Sequence, residues 1–309
     1  MKEYNWKIFG HQKQLSELEA DLSHKNMAHA YLFAGVSGIG KFTVAKTLAK
    51  MLQCEASPAP CDKCPTCIQL EKGYQPDTIE LFDDFESIKI EQIRTIINRL
   101  YTTTQSRFKI LLLQNIERCT PESANALLKI VEDPPPSVVF LFTTSRLEAL
   151  LKTVVSRVRL YKFQYLAEGE LRKFLTDRGP DLSPDELALI AQLAFGKPGM
   201  ALQFAENKEL FEQFQSLYNR IGGFMKKPDL AESFAYIAER VKNEGSPEAF
   251  LDVMLTQLQQ KLHTEVDNGR PAVELAKTIQ LTKEVQQSYE MLGRNVNHRL
   301  LFENLMLSL

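Results

Sequence analysis

The stretch YLFAGVSGIGKFTVAKTLAKML, residues 31–52, decides how the rest of the chain reads. A short apolar run leads into Gly35, Gly38, Gly40 and Lys41. Beyond the lysine, Val44, Ala45, Leu48, Ala49 and Leu52 line one face of a helix. A glycine-rich turn between strand and helix lets successive backbone N–H groups curl round a phosphate at the helix N-terminus, with the lysine reaching the terminal phosphates. Position 42 breaks this pattern: a hydroxyl there would ligate Mg2+, and the chain has Phe42. Thr43 comes one residue late, about 100° round a helix of 3.6 residues per turn, so it is not a simple substitute. Gly35, Gly38, Gly40, Lys41 and Thr43 thus form the candidate nucleotide-binding set of a degenerate loop. It reads either as a residual nucleotide site or as a tight strand-to-helix connection.

Outward from the loop, strand-like and helix-like segments alternate. TIELF (78–82), KILLLQN (109–115) and VVFLFTT (138–144) read as strands, the last two apolar enough to be buried on both faces. Between them, Ile90, Ile93, Ile97 and Leu100 keep helical spacing, and Thr120 followed by Pro121 marks a helix start. The alternation predicts an α/β fold, a parallel sheet covered by helices. In such a site an acidic residue at the end of a buried strand holds the magnesium. Here the strand ends in Gln114 and Asn115, two neutral amides, and Glu117 lies beyond the strand end and is a poor replacement. The site therefore reads as a nucleotide fold that does not hydrolyse. After residue 163 the strand signals stop. Ser183 and Glu186 around Pro184 form a capping box, and Leu251, Leu255, Leu258 and Leu262 form one helical stripe. The expected domains are an α/β domain over 1–162, a small helical domain over 163–207 and a helical C-terminal domain over 208–309.

Cys54, Cys61, Cys64 and Cys67 follow the spacing C-x6-C-x2-C-x2-C in a loop that carries Pro58, Pro60 and Pro65. Four thiolates surround Zn2+ tetrahedrally and leave no position for water, so the expected role is structural zinc. Redox-active thiols are the weaker rival, because four clustered cysteines exceed what that chemistry needs. Cys119 reads as an apolar residue. Histidines 11, 24, 29, 263 and 298 are scattered and receive no chemical role. The 309-residue chain is 44% hydrophobic and 25% charged, with net charge −2. That balance argues against a strongly basic nucleic-acid-binding surface over the whole chain. No apolar run of 18 or more residues suggests a membrane span, and the N-terminus carries no signal-like stretch, so a soluble cytoplasmic protein is expected.

AHAYLFAGVSGIGK, the four-cysteine insertion, IEQIR, ANALLKIVEDPPP and VVFLFTTSRLEALLKTVVSRV follow in the order of motifs in bacterial clamp-loader subunits. The chain resembles these AAA+ proteins of the DNA polymerase III holoenzyme over about residues 6–205; the remainder is similar only in being helical and in its ending. In that family gamma/tau subunits hydrolyse ATP and delta-prime subunits have eroded nucleotide sites, so Phe42, Gln114 and Asn115 point to the delta-prime type. Gly199 stands where hydrolysing relatives carry a phosphate-sensing arginine in the lid. The resemblance implies that 163–207 is the lid and 208–309 an oligomerising collar. It also implies that the four-cysteine insertion is shared and that Arg157, in Ser156–Arg157–Val158, is an arginine finger for a neighbouring subunit's ATP. The family's motif ends in cysteine where this chain has Val158, a departure that leaves the guanidinium in place. The implied partners are delta and gamma/tau subunits, with the sliding clamp and primed DNA met through the complex. An active gamma/tau-like ATPase using Thr43, and a zinc-stabilised nucleic-acid-binding protein with a decayed ATPase core, are the alternatives.

Overall fold

A computed structural model describes residues 3–23, 27–82, 87–180, 182–227, 229–242, 246–269, 271–292 and 296–309; His24 lies outside them. The chain divides into two compact units, residues 1–178 with 196–201, and residues 179–195 with 202–309.

The first unit runs α1 (Gln12–Ser23), β1 (Ala30–Ala34), α2 (Lys41–Gln53), α3 (Pro65–Glu71), β2 (Thr78–Leu81), α4 (Ile90–Leu100), β3 (Lys109–Leu113), α5 (Pro121–Glu132), β4 (Val138–Thr144), α6 (Lys152–Val155), β5 (Arg159–Lys162) and α7 (Glu168–Arg178). The strands form one parallel sheet in the order β2-β3-β4-β1-β5. Register is explicit at its centre: β1 pairs with β4 from Ala30 opposite Phe140 to Ala34 opposite Thr144. Because side chains alternate across a strand, the sheet has two apolar faces. Tyr31, Phe33, Ile110, Leu112, Val139 and Leu141 belong to one core with residues of α1 and α2, including Leu15, Leu18, Val44 and Leu48. Leu32, Leu111, Leu113, Phe140 and Phe142 belong to the other with residues of α4 and α5, including Ile93, Ile96, Leu127 and Ile130. Right-handed crossovers require this split, since β1 connects outward to β2 while the later strands step back across the sheet. The connections leaving β1 and β4 therefore depart in opposite directions. That switch point is where open parallel sheets place their sites, beyond the carboxyl ends of the strands.

The second unit is helical, with α8 (Pro184–Ala194), the later part of α9 (Pro198–Glu206), α10 (Lys208–Lys226), α11 (Leu230–Lys242), α12 (Pro247–Asp267), α13 (Ala272–Leu292) and α14 (His298–Leu307). The capping box opens α8: Ser183 Oγ accepts from the Glu186 N–H, and the Glu186 carboxylate accepts from the Ser183 N–H. Leu251 and Leu258 of the leucine stripe are buried, as are Phe250 and Phe302, whose ring centroids lie 4.4 Å apart. No helix of the described residues is long and apolar enough to cross a membrane.

Candidate functional site: the phosphate loop, the cysteine cluster and Arg157

The loop leaves the buried carboxyl end of β1 and delivers Lys41 as the first residue of α2. Gly38 (φ 77°) and Gly40 (φ 97°) take left-handed conformations that other residues adopt only at a cost. A Cβ on Gly35 would stand 2.7 Å from the Phe163 carbonyl oxygen, so only glycine lets the loop pass β5's end. Three loop carbonyls are engaged by the chain itself. The Lys41 ammonium donates to Val36 O at 2.8 Å, His11 Nε2–H donates to Ile39 O at 3.1 Å, and the Gly199 N–H donates to Gly38 O at 2.9 Å. A Cβ on residue 199 would itself lie 2.9 Å from Gly38 O. An arginine at this position would therefore require the loop or the segment 196–201 to shift.

Lys41 is buried, and its ammonium also donates to Ser145 Oγ at 3.2 Å. Ser145 follows β4 and donates in turn to Asn115 Oδ1 at 3.3 Å. Asn115 sits in the left-handed region (φ 52°), which its short amide side chain tolerates, and its N–H donates to Thr143 Oγ1 at 3.0 Å. Glu117 accepts from the Ser145 N–H at 2.8 Å through Oε1, while its Oε2 is buried with no hydrogen-bond partner among the described residues. The carboxylate thus belongs to the site although it lies past the strand end, because the 3-10 turn Ile116–Arg118 folds it back. Phe42 places its ring 5.5 Å from that of Phe82, an apolar contact where a metal-binding hydroxyl would stand. Thr43 is exposed. The structure brings together Gly35, Gly38, Gly40, Lys41 and Asn115. It adds Ser145, Glu117, His11 and buried Lys197, whose Cβ would be 3.6 Å from one built on Gly38. Ser145 could have been found from the sequence, since a parallel order with β4 between β3 and β1 brings the three strand ends together.

The cysteine cluster lies apart from this loop, between α2 and α3. The Sγ atoms of Cys54, Cys61, Cys64 and Cys67 all lie within 4.8 Å of one another. Four thiolates bonded at about 2.3 Å to one tetrahedral centre would stand roughly 3.8 Å apart, so the set can hold a metal ion. The Cys64 N–H donates to Cys61 Sγ at 3.3 Å and the Cys67 N–H to Cys64 Sγ at 3.4 Å. Hydrogen bonds from the Lys63 and Cys64 N–H groups bring the Cys61 thiol down to about 6, whereas burial pushes Cys64 and Cys67 up. Buried Cys67 therefore needs a counter-charge to ionise, which a bound cation would supply. Lys50 of α2 fastens the loop through Asp62 at 3.2 Å and Glu71 at 2.5 Å. Cys119 is outside the cluster and half-buried, and burial raises its thiol to about 11.

Arg157 lies in the turn between α6 and β5, the edge strand of the sheet. It is exposed, pairs with Glu132 Oε1 at 2.7 Å, and donates to Thr153 O at 3.0 Å and Ser156 Oγ at 3.2 Å.

A parallel sheet of this order, with a phosphate loop after its first strand and a helical C-terminal part, is the AAA+ fold. Residues 10–167 match the family described as DNA polymerase III, delta subunit, and the chain belongs to that family. The gamma subunit of DNA polymerase III from Buchnera aphidicola subsp. Schizaphis graminum is 34% identical over 208 residues, 65% of this chain and 57% of that one. The tau subunit from Escherichia coli is 32% identical over 206 residues, 64% of this chain and 32% of that one. The chain thus spans about half or less of the length of these relatives. A DNA polymerase III gamma subunit-related protein from Thermotoga maritima shares the fold at TM-score 0.53 and 20% identity, covering 95% of this chain and 97% of that one.

Burial brings the Lys41 amine down to about 8, with Lys197 adding to the shift and Glu117 opposing it. An amine whose pKa is lower folded than unfolded costs stability in full below its folded pKa, and the cost fades as pH rises toward the ordinary lysine value. Lys41→Met should therefore raise the stability of the chain by roughly 1–3 kcal/mol at pH 7. The gain should shrink between pH 8 and pH 10. Thermal melts of both proteins across that range check it, and a pH-independent difference would contradict it.

Proposed function

We propose that this chain is a non-hydrolysing, delta-prime-type subunit of a DNA polymerase III clamp loader. It would help place the sliding clamp on primed DNA and work on a neighbour's nucleotide rather than its own. One observation carries the reading: at the phosphate loop the usual hydroxyl, strand-end carboxylates and lid arginine are replaced, and the carboxylate that does reach the site, Glu117, comes from beyond the strand end and accepts from the Ser145 N–H. Phe42 presents a ring, Gln114 and Asn115 carry no charge, and Gly199 has no side chain and packs its N–H on Gly38 O. Lys41 remains, but it is solvated by Val36 O and Ser145 Oγ. The retained loop then serves as a rigid strand-to-helix joint.

In this reading Arg157 meets the γ-phosphate held by the adjacent subunit and stabilises charge that develops as the phosphoryl group transfers. Its exposed place at the edge of the sheet supports that role. The four cysteines hold structural zinc, which ties the insertion between α2 and α3. The partners are delta and gamma/tau subunits, joined through residues 208–309 as a collar, with 163–207 as the lid. The setting is cytoplasmic. A second reading, an ATP-hydrolysing gamma/tau-like subunit, is favoured by the gamma and tau subunits found among the relatives. It would have to use Thr43, which is exposed, in place of the hydroxyl missing at 42.

Arg157→Ala should lower ATP hydrolysis at the adjoining site of the reconstituted complex on the order of 10³-fold. An unchanged rate would refute the role. For the cluster, metal analysis of the purified chain should find one zinc per chain. Chelation, or Cys64→Ser with Cys67→Ser, should then lower the melting temperature; a metal-free chain of unaltered stability would contradict structural zinc.

A further inference from the structure

We infer that Glu132 is the positioning residue for Arg157, holding its guanidinium so that the remaining N–H groups face an anion on a neighbouring subunit. This rests on the reading of Arg157 given above. A guanidinium carries five N–H donors in a fixed plane. Three acceptors fix this one: Glu132 Oε1 on Nη2 at 2.7 Å, with Thr153 O at 3.0 Å and Ser156 Oγ at 3.2 Å on Nη1. Those bonds leave Nε–H and one Nη2–H for a further acceptor. Thr153 lies in α6, Ser156 caps it and Arg157 follows directly, so these two acceptors fix the arginine only relative to its own short segment. Glu132 is the one of the three that lies on a different element, the last residue of α5, and it ties the guanidinium to the body of the sheet domain.

Local helix physics does not account for a carboxylate at this position. The C-terminal end of a helix carries partial negative charge, which disfavours acidic side chains, yet α5 ends in Glu132 with Asp133 following. Lys129 is basic in the same last turn, and Arg157 pairs with Glu132 directly. Because both side chains are exposed, at 37% and 49%, the pair adds little to folding stability, and its consequence is orientation. A freely rotating arginine would spread its donors over many directions. One held in place keeps its remaining donors at a fixed position, and the entropy of ordering it is lost before the neighbour's phosphate arrives.

The test uses full-length chains in complexes reconstituted with ATP-hydrolysing gamma-type subunits whose other sites carry an inactivated phosphate-loop lysine. Glu132→Gln keeps the shape and removes the charge. It should lower kcat for ATP by up to about fivefold, the upper end for loss of an exposed charge pair, and leave KM within about twofold. The melting temperature should stay unchanged. Added to Arg157→Ala, it should cost nothing more, since the residue it positions is gone. If Glu132→Gln leaves kcat intact while Arg157→Ala lowers it, the positioning role is overturned and the finger stands. An equal loss from Glu132→Gln in both backgrounds overturns it too, because Glu132 would then act independently. If Arg157→Ala itself changes nothing, the reading beneath the inference has failed.

Discussion

A buried ammonium constrains the sheet half of this chain. Lys41 stands at the start of α2, at the switch point of the sheet, and its charge has been taken out of water. Burying an unpaired charge is costly, so the surroundings must supply acceptors. They do so from three parts of the fold: Val36 O from the loop, Ser145 Oγ from the end of β4, and the nearby negative charge of Glu117 from the turn after β3. Ser145 Oγ in turn donates to Asn115 Oδ1, so the lysine connects the loop to the ends of β3 and β4. Here the chain's own oxygens accept from it.

The remainder of the loop is held by contacts that would have to break for a side chain to enter. Gly199 N–H on Gly38 O brings the segment 196–201 onto the loop, and a Cβ at 199 would meet that oxygen at 2.9 Å. Phe42 turns to Phe82, away from ligand chemistry. At Phe42 and Gly199 an ordinary packing contact thus stands where the motif would place a metal ligand or a phosphate-sensing side chain. Arg157 differs in kind: its exposed guanidinium is gripped from one side and contributes little to the fold that contains it.

Much of this was legible in the sequence because buried parallel strands write continuous apolar runs. KILLL and VVFLFTT became β3 and β4, YLFA falls within β1, and the glycine loop stood between strand and helix as its composition required. β5 was not read, because RLYK is a four-residue edge strand with charges at both ends. α1 also went unread: its charged sequence buries only Leu15 and Leu18. Among site residues, the loop and the cysteines announced themselves by spacing. His11, Ser145 and Glu132 did not, and Glu117 reads only as a poor replacement beyond the strand end, since each acts through a partner 25 or more residues away in the chain. A histidine with no cysteine or carboxylate at ligand spacing looked idle, and it proved to hold a carbonyl of the loop.

The central claim is that this chain keeps a nucleotide fold without nucleotide chemistry of its own. Equilibrium binding of a fluorescent ATP analogue to the purified chain, with and without Mg2+, beside a hydrolysis assay, tests it most directly. The account predicts no turnover, with binding that is weak or indifferent to magnesium. Magnesium-dependent binding with turnover that Lys41→Ala abolishes would contradict it, and would show that Thr43 and water replace the ligands lost at Phe42, Gln114 and Asn115.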